Sequence, residues 1–215
     1  MKILLLGPDG RNQAIQRYLI GRGHEVKITA NEITSEYVTS ESYDYLLSNG
    51  YAPIIKESII SLTPGKILNL HATYLPWGKG IGALLFGILE NAPIGVSIHI
   101  IDKGVDTGDV FFRKEIAYSE DSNPKALYSL LLATMDQFFF ECWPLLESGE
   151  AKAVPQRELG KGSPYRTRFQ AEMILDLLPE RWDTTIRKLR EWGGELQLSE
   201  EFWERVTLNA KAPDV

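Results

Sequence analysis

The chain has 215 residues, 44% hydrophobic and 24% charged, the balance of an ordinary globular protein with one main core. Its formal net charge of −6 gives no general electrostatic reason to hold nucleic acid, because neutralising phosphates takes a surplus of Lys and Arg. A lone cysteine, Cys142, rules out an intrachain disulfide and reads as a small buried hydrophobe. The opening MKILLLGPDG is too short an apolar run for a signal peptide, and no stretch reaches the length of a membrane helix. The expectation is a soluble, cytoplasmic protein.

Lys2 to Leu6 is an apolar run ending at Gly7-Pro8-Asp9-Gly10, the pattern of a buried first strand and its exit turn. Residues 11–22 place Ala14, Ile15, Tyr18 and Leu19 at helical spacing and close at Gly21 and Gly23. Glu25 to Ala30 alternates like a second strand, and Tyr43 to Ser48 reads as a third, ended by Asn49-Gly50. A short helix is expected over Ile54 to Leu62, before Pro64-Gly65 turns the chain into a fourth strand, Lys66 to His71. Strand and helix in this alternation predict an α/β fold, with a mainly parallel, twisted sheet flanked by helices. Ligands of such sheets collect at the carboxyl ends of the strands, where His71 stands.

Gly82 to Ala92 is helical in pattern. Ile94–Ile101 and Asp109–Ile116 are β-rich and flank the loop Asp102-Lys103-Gly104-Val105-Asp106-Thr107-Gly108. Asn123-Pro124 opens a helix, Asn as cap and Pro in the first position, with Leu127, Leu130, Leu131, Thr134 and Phe138 on one face. Pro144 is expected to end or kink it. The chain then divides, residues 1–150 forming the main domain and 151–215 a small helical and loop extension. Lys152 to Arg168 reads as loop, and the tail from Phe169 offers two amphipathic segments, the second with Trp182, Ile186 and Leu189.

The histidines, His24, His71 and His99, lack the i, i+4 spacing of a zinc protease, and a single cysteine makes no thiolate cage, so no metal is expected. There is no G-x-S-x-G elbow, which argues against an α/β-hydrolase. The first turn has Gly7 and Gly10 but neither the third glycine of G-x-G-x-x-G nor a Walker lysine. It is either a plain tight turn or a phosphate cradle at a helix start. Two other segments stand out. In Asn69-Leu70-His71-Ala72-Thr73-Tyr74-Leu75-Pro76, alternation puts Asn69 and His71 on one face of a strand end. An Asn amide can donate to a developing oxyanion, and a nearby imidazole can move a proton. Gly104-Val105-Asp106-Thr107-Gly108-Asp109 holds a carboxylate in a glycine-flanked loop, and Asp beside His commonly controls imidazole charge and orientation. Each also occurs as a purely structural feature.

Taken together, NLHATYLPWGKG and GVSIHIIDKGVDTGDV, one helix apart, resemble the formyltransferases that use N10-formyltetrahydrofolate. That family carries Asn-x-His-x-Ser-x-Leu-Pro-x-x-x-Gly, then Gly-Val-Thr-x-His-x-x-Asp-x-x-x-Asp-x-Gly. Thr73 and Ser97 depart from it but keep a hydroxyl. The resemblance covers residues 43–116 well and the first strand loosely. It implies a Rossmann-like fold and formyl transfer from N10-formyltetrahydrofolate to an amine, with Asn69, His71 and Asp106 as the catalytic trio. It also implies that Tyr51-Ala52-Pro53-Ile54-Ile55 cradles the pterin, with Pro53, Ile54 and Ile55 facing Asp102, Gly104 and Val105 across the cofactor. His99 matches a second histidine of the motif; it either touches the site or is satisfied within its strand.

The family divides by acceptor. Gly7-Pro8-Asp9-Gly10-Arg11-Asn12 departs from the Gly-x-Gly-Ser-Asn of the purine branch. The stretch after Glu150 is short for the RNA-binding barrel of the initiator-tRNA branch, and the first strand begins too early for the regulatory domain of the hydrolase branch. The loop from Leu75 to Gly80 and the tail from Gly160 to Arg168, then Trp182-Asp183-Thr184, resemble the sugar N-formyltransferases. The expected acceptor is therefore a nucleotide-linked amino sugar, with no nucleic acid or membrane partner, and a homodimer is allowed. Arg11 and Lys79 are candidates for its pyrophosphate, and Trp77 either lines the sugar pocket or belongs to the core. The alternatives are another small amine, such as glycinamide ribotide or an amino-acid derivative, and a non-catalytic folate- or nucleotide-binding module.

Overall fold

A computed structural model describes residues 1–178, 180–196 and 202; the remainder of the 151–215 extension lies outside the described residues. Strand β1 (Lys2–Leu6) is buried on both faces from Ile3 onward, as a central strand of a parallel sheet requires. Its alternation splits the core: Ile3 and Leu5 join one apolar cluster, Leu4 and Leu6 the other. The chain continues through α1 (Asp9–Gly21), β2 (Glu25–Thr29), α2 (Ser35–Glu41), β3 (Tyr45–Ser48), α3 (Glu57–Leu62) and β4 (Ile67–His71). Then come β5 (Lys79–Gly80), α4 (Ala83–Leu89), the strands β6 (Gly95–Ile100) and β7 (Val110–Glu115), and the long helix α5 (Pro124–Glu147). Strand β8 (Tyr165–Arg166), α6 (Arg168–Leu177) and α7 (Ile186–Leu196) follow.

The main sheet has the order β2-β1-β3-β4-β6-β7. The first four strands run parallel, and β6 and β7 are antiparallel to their neighbours. Helices α1, α4 and α5 contribute to the larger cluster, with Ile15, Phe86, Phe139 and Trp143 wholly buried, while α2 and α3 add Val38 and Ile59 to the smaller one. This is the mainly parallel, helix-flanked sheet expected of the sequence.

Several boundaries differ for physical reasons. Helix α3 starts at Glu57 rather than Ile54, leaving Ile54 and Ile55 in the loop beyond β3. Pro144 does not end α5, which runs on to Glu147. Proline removes the hydrogen bond that the carbonyl of Phe140 would accept, and the Tyr18 hydroxyl donates to that carbonyl instead, at 3.1 Å. The loop-like stretch 152–168 contains β8, which pairs in parallel with β5, and a bridge from Val154 to Val110 on β7. The two amphipathic segments of the tail are α6, opened by a Thr167–Gln170 capping box, and α7, which buries Ile186 and Leu189. Trp182 lies ahead of α7, in the short turn Arg181–Asp183.

Candidate active site

Strand β4 sends Leu68 and Leu70 into the core and turns Asn69 and His71 the other way. β6 lies beside it in antiparallel register, with His99 directly across from Asn69. Facing residues of such a pair put their side chains in contact range. Asp106 arrives from the loop between β6 and β7, so three chain segments meet at the end of β4.

The hydrogen bonds fix which ring nitrogen does what. His99 Nδ1 lies 2.8 Å from the carbonyl of Ile100, so Nδ1 carries the proton and Nε2 is left with a lone pair. That lone pair accepts from Asn69 Nδ2 at 3.2 Å, which orients the amide and leaves its second N–H free. His99 is 1% exposed, and burial lowers its pKa to about 4, with the neighbouring His71 imidazole acting the same way and Asp106 opposing. At neutral pH His99 is therefore an uncharged support for Asn69. The His71 ring makes the mirror choice. Its Nε2 donates to the carbonyl of Gly78 at 2.9 Å, so Nδ1 is the nitrogen that faces Asp106.

Asp106 Oδ1 stands 3.8 Å from His71 Nδ1 and 3.7 Å from His99 Nε2, while Oδ2 accepts from the Gly80 amide at 2.9 Å. The carboxylate is thus close enough to stabilise an imidazolium at His71 without a direct hydrogen bond. The facing atoms of His71, His99 and Asp106 lie within 4.8 Å of one another, a spacing open to a divalent ion. The His99 lone pair, one of those three facing atoms, is already engaged by Asn69.

Polar contacts hold the loops around these groups. Ser97, fully buried, donates to the carbonyl of Thr73 at 2.8 Å and accepts from the Leu75 amide at 2.9 Å. Thr73 donates to the Gly78 carbonyl that holds His71, at 2.9 Å. Both positions that depart from the family motif therefore use the hydroxyl they retain. In the other loop Asp102 Oδ1 accepts from the Gly104 amide at 3.1 Å and the Thr107 hydroxyl at 2.5 Å. A side chain at Gly108 would strike the Ile100 carbonyl, its Cβ falling 2.0 Å away.

A cavity of about 800 Å³ opens over the trio. Pro53, Ile54 and Ile55 line it on one side and Asp102, Gly104 and Val105 on another. Ile54 is 85% exposed and Val105 49%, so both present apolar surface to a ligand. Leu84, Pro124, Lys125, Tyr128 and Trp182 also line the cavity, and none of them is among the candidate site residues of the sequence.

The acceptor candidates fare differently. Arg11 lines the cavity, but its Nη1 is paired with Asp136 at 2.8 Å and its Nη2 donates to the Leu132 carbonyl at 3.2 Å. Trp77 does not line the cavity; it sits in a separate crevice with Tyr74 and Pro93. Lys79 is also absent from the lining, although Gly80 beside it is part of it. Burial lowers the Lys79 pKa, opposed by Asp106 and Asp102. The first turn is filled from within the protein: Asn49 donates to Asn12 at 3.2 Å, and Asn12 to the Pro8 carbonyl at 3.0 Å.

A strand-end Asn–His pair and a loop carboxylate thus meet over an open cavity at the end of a mainly parallel sheet. The chain belongs to the formyl transferase family, whose model matches residues 12–141. A crystal structure of the formyltransferase PseJ from Anoxybacillus kamchatkensis, in complex with UDP-4,6-dideoxy-4-formamido-L-AltNAc and tetrahydrofolate, is 35% identical. It superposes with a TM-score of 0.79 over 88% of this chain and 97% of that one. A 4-N formyltransferase from Francisella tularensis, 15% identical, shares the fold with a TM-score of 0.70, covering 88% of this chain and 85% of that one. Among curated relatives, the methionyl-tRNA formyltransferase of Dictyoglomus thermophilum is 30% identical over 201 residues, 88% of this chain and 64% of that protein. That of Dictyoglomus turgidum is 29% identical over 161 residues, 70% of this chain and 51% of that protein. The chain spans about half the length of several of these curated relatives. Among the described residues no helix is long and apolar enough to cross a membrane.

Proposed function

We propose that the protein transfers the formyl group of N10-formyltetrahydrofolate to the amine of a nucleotide-linked amino sugar. The observation that carries the chemistry is the pair of fixed tautomers, which leaves one Asn69 N–H and one lone pair, His71 Nδ1, at the end of β4. The acceptor amine attacks the formyl carbon, and the carbonyl oxygen takes the charge beside the free N–H of Asn69. His71 Nδ1 accepts the proton the amine releases and passes it to N10 as the C–N10 bond breaks. Asp106 steadies the transient imidazolium. The products are the formamide and tetrahydrofolate. Pro53, Ile54, Ile55, Asp102, Gly104 and Val105 hold the folate in this reading.

The sugar acceptor is supported by the likeness to PseJ, which extends over 97% of that chain and is seen there with a UDP-sugar. The net charge of −6 points the same way, since a tRNA acceptor is met by basic surface. A second reading, formylation of an aminoacyl-tRNA, is favoured by the methionyl-tRNA formyltransferases among the relatives. A cytoplasmic setting belongs to the proposal and is supported by Cys142, a buried free thiol whose pKa burial pushes up to about 12. The test supplies N10-formyltetrahydrofolate with UDP- and dTDP-linked amino sugars, glycinamide ribotide and methionyl-tRNA in parallel. Turnover is expected with a nucleotide sugar. Turnover with the ribotide or the tRNA alone overturns the acceptor, and folate binding with no turnover on any amine overturns catalysis.

A further inference from the structure

We propose that Gln156, beyond the helices of the main sheet, is a positioning residue for Asp106. The inference rests on the reading of Asp106 as the partner of His71 and goes beyond it. Asp106 has a φ of 54°, a left-handed conformation that is uncommon outside glycine, though Asp tolerates it better than most residues, and that the surrounding contacts here hold in place. Two groups do so. The Gly80 amide holds carboxylate Oδ2 at 2.9 Å. Gln156 Nε2 holds the backbone, donating to the carbonyls of Asp106 and Gly108, each at 2.9 Å. Those two carbonyls bracket Thr107, so a single amide closes both ends of the turn that presents the carboxylate.

The orientation of Gln156 is not open to reversal, since two carbonyl oxygens accept only from the amide nitrogen. The residue is 8% exposed, and its Oε1 is buried without a hydrogen-bond partner among the described residues. A site that only needed filling would suit an apolar side chain better. Gln156 is itself anchored: Val154, two residues earlier, exchanges both backbone hydrogen bonds with Val110 on β7, at 2.9 Å each. The sheet edge thus sets Gln156, Gln156 sets the Asp106 backbone, and that backbone sets a carboxylate 3.8 Å from His71 and 3.7 Å from His99. Releasing the clamp lets residue 106 relax toward negative φ and carries the carboxylate away from the imidazoles.

The experiment compares the unsubstituted protein with Gln156→Met, which keeps the length and loses both donors. The expected result is a kcat lower by on the order of 10²-fold, as for a misplacement of about 1 Å, with KM for the folate changed by no more than about threefold. A second readout needs no acceptor. The NMR shift of the Gly80 amide reports its bond to Asp106 and is expected to move in the variant. Gln156→Asn, polar but one methylene short, serves in the same two measurements where Gln156→Met fails to fold. A folded variant with kcat within about twofold of the original, or with the Gly80 amide unmoved, overturns the proposal. A lowered Tm with both readouts unchanged also overturns it, as a structural role alone. If the unsubstituted protein turns over no amine, the formyl-transfer reading fails by itself, and the Gly80 amide still decides the positioning.

Discussion

Asn69 and His71 reach the cavity from a strand, and Asp106 reaches it from a loop. The strand side is held by packing: Leu68 is wholly buried and Leu70 nearly so on the opposite face of β4, with β3 and β6 paired on either edge. The loop side is held by discrete polar contacts to the backbone of Gly104, Asp106 and Gly108 and to the Asp106 carboxylate. Apolar packing is spread over many atoms, so its loss appears chiefly as lost stability. Point contacts on a loop set direction, so the loss of those that hold the Asp106 backbone or carboxylate appears chiefly in the rate. In the proposed reaction the proton-moving group and the oxyanion donor stand on the packed strand, and the charge that steadies them stands on the loop held by polar contacts.

That division can be broken from either side. Leu68→Ala leaves a cavity behind the strand and is expected to cost about 2–5 kcal/mol of stability, read from urea unfolding. A loss well under 1 kcal/mol, by the same scale, shows that packing does not hold β4. Asn69→Ala, on the other face of the same strand, is expected to lower kcat by roughly a hundredfold or more with little change in unfolding, the usual effect of removing one oxyanion donor. A near-normal kcat removes Asn69 from the mechanism.

The acid limb of stability sharpens the contrast. His99 has a folded pKa of about 4, below the 6.5 of an ordinary histidine. The unfolded chain therefore takes up its proton first, and stability is full above pH ~6.5 and falls between there and pH ~4, by about 3 kcal/mol. Unfolding measured at pH 7 and 4.5 for the protein and for His99→Gln isolates this contribution. An equal loss in both means that His99 carries its proton in the folded state. The smallest effect belongs to the loop. Thr107→Val removes an exposed hydroxyl bond to Asp102 and is expected to cost about 0.5–1.5 kcal/mol at most, with kcat nearly unchanged while Gln156 still holds the turn.

Much of the sheet was readable because a buried parallel strand is an apolar run and little else resembles one. Helix α2 escaped, since SEYVTSE buries only Val38 and carries no apolar period. β5 and β8, two residues each, are too short to have a pattern. The continuation of α5 past Pro144 depends on Tyr18, a residue distant in sequence. At the site, alternation placed Asn69 and His71 together, and the loop motif pointed to Asp106. His99 stood open until the β4–β6 register set it across from Asn69. The carbonyl of Gly78 and the amide of Gly80 are backbone groups, so no residue type announces them. Gln156 is one polar residue in a loop-like stretch, and only its two acceptors distinguish it. Trp77 and Lys79 are candidates through the likeness of the Leu75–Gly80 loop to the sugar N-formyltransferases and the charge of Lys79, and neither lines the cavity.

The bond from His71 Nε2 to the Gly78 carbonyl carries a consequence for turnover. A carbonyl takes no proton, so that nitrogen is closed to traffic and the imidazole has a single port, Nδ1. Whatever proton enters the ring must leave by the same door. A relay that passes a proton inward through this nitrogen is thereby ruled out, and in the proposed reaction the amine and N10 meet His71 in succession at one spot. In that reaction the ring resets when N10 takes the proton, so a single exchange between two partners at one opening restores it.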